Sequence, residues 1–164
     1  MEKTIDNMFR LFDKGWALVT SGSIDDFNTM TVSWGSLGTL WSRSIVTVYI
    51  KPCRYTHQFM EKNDHFTVSF FDEQFREDLA LLGSKSGRDG NKVAETSLEP
   101  VSMDGTVGFR QARVTIICRK IYHSDFDPEI IPASAMEKYY QSEAPHTMYI
   151  GEVEKIICRQ EDNA

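Results

Sequence analysis

The sequence predicts a mainly β protein, in which antiparallel strands are joined by short helices and close into a small barrel. Strand-like segments are spread along the whole chain, whereas helical patterns are few and short. Several of these segments alternate apolar and polar residues, which is typical of antiparallel strands with one buried face. A doubly wound parallel sheet is disfavoured, because the long helices that it requires between strands are missing.

Each strand is predicted from a run of apolar and β-branched residues that is bounded by turn-forming residues. In the second strand, Met30, Val32 and Trp34 alternate with Thr29, Thr31 and Ser33, so the two sets are expected on opposite faces. Glycines after that strand are expected to loosen the chain, and Pro52 ends the strand that follows. The predicted strands are residues 17–20, 29–34, 45–50, 66–70, 113–122 and 147–158.

Four short helices are predicted from apolar residues at helical spacing. Thr56 is expected to be the N-cap of the second helix, and Gly83 to end the third. Turns are expected at residues 21–23 and 104–105, and a polar loop at residues 84–92. The predicted helices are residues 7–12, 56–61, 74–82 and 132–140.

Size and charge restrict the class of protein. With 164 residues, the chain is expected to form one domain over residues 1–164. A net charge of -6 argues against a nucleic-acid partner. A mean hydropathy of -0.37, with no long apolar run, argues against a membrane span. The N-terminus lacks the apolar core of a signal peptide, and the odd number of cysteines favours reduced thiols, so a cytoplasmic protein is expected.

Two stretches carry the candidate site, Asn28-Thr29-Met30-Thr31-Val32-Ser33-Trp34-Gly35 and Lys51-Pro52-Cys53-Arg54-Tyr55-Thr56. The second stretch places Arg54 and hydroxyl groups at the start of a helix, an arrangement that favours a bound phosphate. The first could supply a flat platform with backbone donors. Together they indicate a site for a phosphorylated, planar cofactor. The alternatives are that Arg54 forms a surface ion pair, that Thr31 and Ser33 belong to the polar face of a strand, and that Trp34 belongs to the core.

The two stretches, with Phe66-Thr67-Val68-Ser69-Phe70 and the loop that contains Arg88 and Lys92, resemble the flavin reductase-like proteins. The match includes flavoredoxin-type members of the FMN-binding split-barrel superfamily, and it extends over about residues 15 to 157. The resemblance implies a Greek-key split β-barrel that forms a homodimer, with FMN near the subunit interface. It also implies a flavoprotein oxidoreductase that transfers hydride or electrons through the flavin.

The resemblance also implies roles for individual residues. Thr29, Met30 and Thr31 would lie along the isoalloxazine ring, and Ser33, Trp34 and Gly35 would approach the ribityl chain and the phosphate. Asn28 is expected among the flavin-binding residues. Arg54 and Thr56 would hold the phosphate, with Lys51 nearby. The loop with Arg88 and Lys92 would border the flavin or its partner.

The electron donor is left open between NAD(P)H and a redox protein. Ser33-Trp34 stands where many nicotinamide-dependent members of the family carry two small hydroxyl residues, which favours the flavoredoxin-like branch. An electron carrier without nicotinamide oxidation and a non-enzymatic flavin-binding module remain alternatives. The four histidines lack the spacing of metal ligands, so no metal is expected, although His146 could lie near the flavin. Cys53, before a helix start, is a weaker candidate for an activated thiol.

Overall fold

The computed structural model describes residues 1–159 and shows a mainly β protein. In these residues, seven antiparallel strands form one sheet in the order β2-β1-β5-β8-β9-β4-β3, and β6 and β7 form a separate hairpin. The expected fold class and antiparallel pairing are therefore confirmed. The strands are β1 (Ala17–Ser23), β2 (Asp26–Val32), β3 (Gly35–Leu40), β4 (Arg43–Ile50), β5 (His65–Phe70), β6 (Pro100–Met103), β7 (Thr106–Phe109), β8 (Val114–Asp125) and β9 (Thr147–Cys158).

Short helices connect the strands and cover the ends of the sheet. They are α1 (Glu2–Asp13), α2 (Tyr55–Lys62), α3 (Arg76–Ser84) and α4 (Ala133–Tyr139). The polar loop after α3 contains two 3-10 turns, at Gly87–Asp89 and Lys92–Glu95. None of the helices in residues 1–159 is both long and apolar enough to cross a bilayer.

The hydrophobic core has two parts, because β1 buries both of its faces. Val19 belongs to the larger cluster with Val48, Phe66 and Tyr149. Leu18, the neighbouring residue, points to the other side and packs with residues of α3 and β7. The hairpin of β8 and β9 has two register shifts, which increase the local twist and bend of the strands. This curvature supports a barrel more than a flat sheet.

Two local expectations in the first half of the chain were wrong. Residues 35–40 form strand β3, whereas the glycines there were expected to loosen the chain. A Cβ atom on Gly35 would lie 2.6 Å from the Phe12 ring, so this glycine permits close packing of α1 against β3. The turn expected at residues 21–23 is part of strand β1, and the next strand, β2, begins at Asp26. Within β1, Gly22 has a φ of 116°, which glycine adopts without strain.

The expected helix boundaries also need two corrections. Thr56 is not the N-cap of α2: the cap is Arg54, and Thr56 lies in the first turn with its side chain fully buried. Gly83 lies inside α3, which continues to Ser84 and has Lys85 as its C-cap. In both cases the cap lies two residues from the expected position.

Candidate functional site

Two adjoining cavities lie between β2, the start of α2, the loop after α3 and the segment after α4. The first, of about 320 Å³, contains most of the cations and is called here the basic cavity. The second, of about 250 Å³, contains the rings of Trp34, Tyr49, Tyr139 and His146 in its lining and is called the aromatic cavity. Met30, Arg54 and Glu143 line both. The two cavities therefore form one groove with chemically different ends.

Strand β2 runs along this groove and lies at the edge of the seven-stranded sheet. One row of its backbone N–H and C=O groups consequently has no strand partner, which leaves hydrogen-bonding groups for a ligand. Thr31 links the strand to α3, because its hydroxyl donates to the Leu79 carbonyl. The side of β2 that faces away from its partner strand β1 is thus fixed by α3.

Four cations line the basic cavity: Lys85 is paired with Glu95, and backbone carbonyls hold the other three, Arg54, Arg88 and Lys92. Arg54 donates from Nη2 to the Gly83 carbonyl at 2.6 Å. Arg88 donates from Nη1 to the Cys53 carbonyl at 2.9 Å. Within residues 1–159, neither arginine forms an ion pair with a carboxylate. The arginines are thus positioned by neutral acceptors, although Glu143 also lines the cavity, and the pKa of that carboxyl is lowered by its bond to Lys51 and, to a smaller extent, by the nearby charge of Arg54.

Lys92 is the third cation and is 4% exposed. Its Nζ donates to the carbonyls of Leu82, at 2.7 Å, and Lys85, at 2.9 Å. Burial, with the nearby charge of Arg54, lowers the pKa of Lys92 to about 8. A buried ammonium group without a carboxylate partner is costly, and an anion in the cavity would offset that cost.

A buried hydrogen bond forms one wall of the basic cavity. Asn28 donates from Nδ2 to the Thr56 hydroxyl oxygen at 2.7 Å, which joins β2 to α2. Because Thr56 accepts this bond, its own proton is left to donate elsewhere. Gly87 approaches the same wall so closely that a Cβ atom on it would lie 2.1 Å from Asn28 Oδ1. The loop after α3 can pack here only with glycine at this position.

The aromatic cavity is lined by side chains from three distant parts of the chain. Trp34, which follows β2, is 40% exposed and meets Tyr139 edge-on, with 5.0 Å between the ring centres. It also lies 5.3 Å from the His146 ring. The expectation that Trp34 shares the face of Met30 and Val32 fails, because β2 ends at Val32. Thr31, Ser33, Tyr49 and Lys51 also line this cavity.

His146 is held in its neutral form. Burial, followed by the positive charge of Lys51, lowers the pKa of His146 to about 4. Its Nδ1 lies 2.7 Å from the Tyr140 hydroxyl. With Tyr140 as the donor, the histidine proton lies on Nε2, so the ring can still donate one hydrogen bond.

Lys51 differs from Arg54, Arg88 and Lys92 because it forms an ion pair with a carboxylate. Its Nζ bonds to Glu143 Oε2 at 2.6 Å and to the Tyr139 carbonyl at 2.9 Å. The bond to Lys51 lowers the pKa of Glu143.

The Cys53 thiol lies beside the same carboxylate, with 3.6 Å between Cys53 Sγ and Glu143 Oε1. Burial, followed by the charge of Glu143, raises the pKa of Cys53. The hypothesis of an activated Cys53 thiol is therefore contradicted, since activation requires a lowered pKa.

Most of the sequence-predicted site residues line the groove, and two do not. The hydroxyl of Thr29 lies 2.8 Å from that of Thr20 in the buried sheet, and Gly35 packs against Phe12. The basic cavity brings together Asn28, Met30, Arg54, Thr56, Arg88 and Lys92. The aromatic cavity brings together Met30, Thr31, Ser33, Trp34, Lys51 and Arg54.

Several lining residues were not predicted from the sequence. Tyr139 and Glu143 lie about a hundred positions after β2, and no local pattern indicates that they reach it. The sequence indicated more clearly that residues 84–87 belong to the site, because a glycine-rich polar loop often approaches a ligand with its backbone. His146 was singled out from its place before the last strand, and it does line the groove.

Comparison with known proteins gives a match over nearly the whole chain. The family model described as "Flavin reductase like domain" matches residues 8–164. This range includes every residue that lines the groove.

Solved structures share the architecture at low sequence identity. A flavoredoxin from Methanosarcina acetivorans has a TM-score of 0.72 at 16% identity, over 89% of this chain and 69% of that one. An FMN-binding protein from Thermus thermophilus with bound 1-cyclohex-2-enone has a TM-score of 0.68 at 20% identity, over 87% and 68%. A protein from Shewanella frigidimarina described with a split barrel domain has a TM-score of 0.68 at 15% identity, over 98% and 76%. The expected split barrel is therefore confirmed.

Proposed function

The protein belongs to the flavin reductase-like domain family, and from this premise we propose that it binds FMN in the groove. One observation carries the proposal: the two ends of the groove differ in chemistry. The basic cavity contains Arg54, Arg88 and Lys92, which form no ion pair within residues 1–159, and the aromatic cavity contains aromatic rings. A flavin mononucleotide has the same two ends, a phosphate and a planar ring system. One structural neighbour is an FMN-binding protein from Thermus thermophilus, which supports this choice of flavin.

The phosphate is placed in the basic cavity. Arg54 and Lys92 would form charge-assisted hydrogen bonds to its oxygens, and Thr56 would donate the proton that its bond with Asn28 leaves available. The phosphate would also compensate the buried charge of Lys92. Arg88, which is exposed, would contribute mainly to the positive potential at the entrance.

The isoalloxazine ring is placed in the aromatic cavity, against the edge of β2. This arrangement departs from the order that the resemblance implied, since Ser33 and Trp34 would lie near the ring and not near the phosphate. Asn28 would lie near the phosphate. Thr29 would contribute only backbone groups, because its side chain is bonded within the sheet. Gly35 would support the site through packing.

Bound FMN would supply the redox chemistry, by accepting and passing on hydride or electrons. The chain would bind and orient it: the cations hold the phosphate, and the β2 edge offers backbone donors to the ring. Neutral His146 could donate one hydrogen bond from Nε2 within the aromatic cavity. We infer an oxidoreductase of flavoredoxin type from these features.

A protein electron donor is the second candidate for how the flavin is reduced. Trp34 and Tyr139 occupy space beside the proposed ring position, which leaves less room for a stacked nicotinamide. Steady-state oxidation of NADH and NADPH, with and without added FMN, distinguishes the two donors. Rapid turnover would favour the nicotinamide, and its absence together with fast reduction by a redox protein would favour the carrier.

We also propose a homodimer in a reducing, cytoplasmic setting. Strand β3 is an exposed edge of the sheet, and Leu37 and the nearby Trp41 are exposed apolar side chains that an interface could cover. Cys53, Cys118 and Cys158 are all free thiols, which supports a reducing compartment. Light scattering on the flavin-bound protein tests the dimer.

The proposal is tested by adding FMN, desalting the protein and recording its visible spectrum. A flavin spectrum that remains with the protein, and saturable quenching of flavin fluorescence in a titration, are expected. Riboflavin lacks the phosphate and should bind at least about tenfold more weakly. Absence of saturable FMN binding would refute the proposed function.

A further inference from the structure

A third cavity, of about 550 Å³, lies beside the aromatic cavity. It is called here the outer cavity, and it is formed by the end of β8, the segment that follows, and α4. Trp34 and Tyr139 line both the aromatic and the outer cavity. A molecule in the outer cavity would therefore contact the same two rings that border the proposed flavin ring.

The outer cavity has the size and surface of a small-molecule site. Pockets for such ligands typically have volumes of about 300–1,000 Å³ and mostly apolar walls. Here aromatic and aliphatic side chains form most of the lining. They include Trp34, Phe126, Ile130, Ile131, Ala135 and Tyr139. Ile130, at the rim of the cavity, is a large apolar side chain that is 80% exposed, and a bound apolar molecule would cover it.

The charge of the outer cavity is the reverse of the charge of the basic cavity. Asp125 and Asp127 line it, and within residues 1–159 no lysine, arginine or histidine does. Asp125 Oδ1 accepts a bond from Thr147, and Asp127 Oδ1 accepts one from the backbone N–H of Glu129, so each carboxylate keeps a second oxygen. The local potential is consequently negative and opposes an anionic ligand.

Two lysines lie near the outer cavity without lining it. Lys51 lies over the Tyr140 ring, 5.4 Å from its centre, and Lys138 lies over the Tyr139 ring at 5.1 Å. Lys51 is already paired with Glu143. The charged side chains that line the cavity itself are therefore the carboxylates of Asp125 and Asp127.

We propose that the outer cavity binds an apolar aromatic molecule that carries no negative charge. Nucleotides and nicotinamide dinucleotides are excluded from this cavity, because their phosphates would face Asp125 and Asp127. The binding itself requires no flavin. Only the position of the ligand next to a flavin ring rests on the proposed function, and it would make this molecule a candidate redox partner of that flavin.

The test compares two probes with the same ring skeleton, N-phenyl-1-naphthylamine and its sulfonated analogue 8-anilinonaphthalene-1-sulfonate. Calorimetric titration of the full chain should give at least about tenfold tighter binding of the neutral probe. Asp127→Asn should reduce that preference. Equal affinities for the two probes, or no binding of the neutral probe, would overturn the proposal.

Matched variants of α4 locate the bound probe. Ala135→Trp fills the outer cavity and should weaken binding of the neutral probe at least about tenfold. Ser134→Trp adds the same side chain at an exposed neighbouring position that does not line the cavity, and it should leave the affinity unchanged. Unchanged binding in Ala135→Trp, with helix content intact by circular dichroism, would place the probe elsewhere and refute the site.

Two further outcomes separate this inference from its alternatives. The titration is repeated with FMN present, and the neutral probe should bind with the same affinity. Displacement by FMN would place the probe in the aromatic cavity and overturn the proposal. If FMN itself fails to bind, the proposed function is wrong, but the probe preference and the Ala135→Trp loss should persist. Probe affinity that increases on dilution of the protein would show that a second copy of the chain occupies the cavity, and it would overturn the proposal.

Discussion

Asn28 and Thr56 are 28 positions apart in the sequence and are joined by a buried hydrogen bond of 2.7 Å. The bond connects the edge strand β2 to the first turn of α2, and it lies in the wall of the basic cavity. Because Asn28 donates to the hydroxyl oxygen of Thr56, the hydroxyl proton of Thr56 remains available to donate to a ligand.

Two buried threonines should therefore respond differently to mutation. Thr56→Ala removes a donor to the phosphate and leaves Asn28 without its acceptor, so FMN affinity should fall by about 0.5–1.5 kcal/mol. Thr29→Ala removes a hydroxyl that bonds only within the sheet, so it should lower the stability and leave FMN affinity nearly unchanged. FMN titration and thermal unfolding of both variants measure this contrast. Equal loss of FMN affinity in the two variants would contradict the assignment of Thr56.

Lys92 should make FMN binding depend on pH. Its pKa of about 8 in the free protein means that the ammonium form, which the phosphate requires, is lost as the pH rises above that value. Affinity for FMN should fall by about tenfold between pH 7 and pH 9, since each pKa unit corresponds to 1.36 kcal/mol. Riboflavin should show a much weaker dependence.

Lys92→Met is the matched control for this pH effect, because it keeps most of the side-chain volume and removes the charge. The variant should bind FMN more weakly at pH 7 and show a flat profile up to pH 9. Without ligand, the buried charge of Lys92 also destabilises the folded state. Between pH 8 and 10.5 the unfolded chain binds more protons at Lys92 than the folded chain does, so the contribution of Lys92 to the free energy of unfolding rises with pH in that range. An unchanged pH profile in Lys92→Met would show that another group titrates.

The sequence predicted the parts of the site that local patterns determine. Arg54 and Thr56 were recognised from cations and hydroxyls at a helix start, and Met30 from the alternation in β2. Tyr139 and Glu143 were missed because their place in the groove depends on the long-range position of α4 and the segment after it. Strand β3 was missed because its glycines are typical of loops, whereas here Gly35 serves close packing.

The low pKa of His146 should make the protein sensitive to acid. The group has a folded pKa of about 4 and an ordinary value of 6.5, so the unfolded chain binds more protons between these values. Stability should therefore fall as the pH decreases from about 6.5 to about 4, by an amount on the order of 2 kcal/mol. Urea unfolding at several pH values measures this loss, and His146→Gln should reduce it. An identical acid dependence in His146→Gln would assign the loss to other groups.

The central claim is that the basic cavity binds the phosphate of FMN, and Arg54→Ala tests it most directly when FMN and riboflavin are titrated side by side. The variant should lose about 1.5–3 kcal/mol of FMN affinity, the range for a hydrogen bond to a charged group. Its riboflavin affinity should stay nearly constant, because riboflavin has no phosphate. Lys155→Ala, which removes an exposed lysine outside the groove, should change neither affinity. Equal weakening of FMN and riboflavin in Arg54→Ala, with the fold intact by circular dichroism, would contradict the claim.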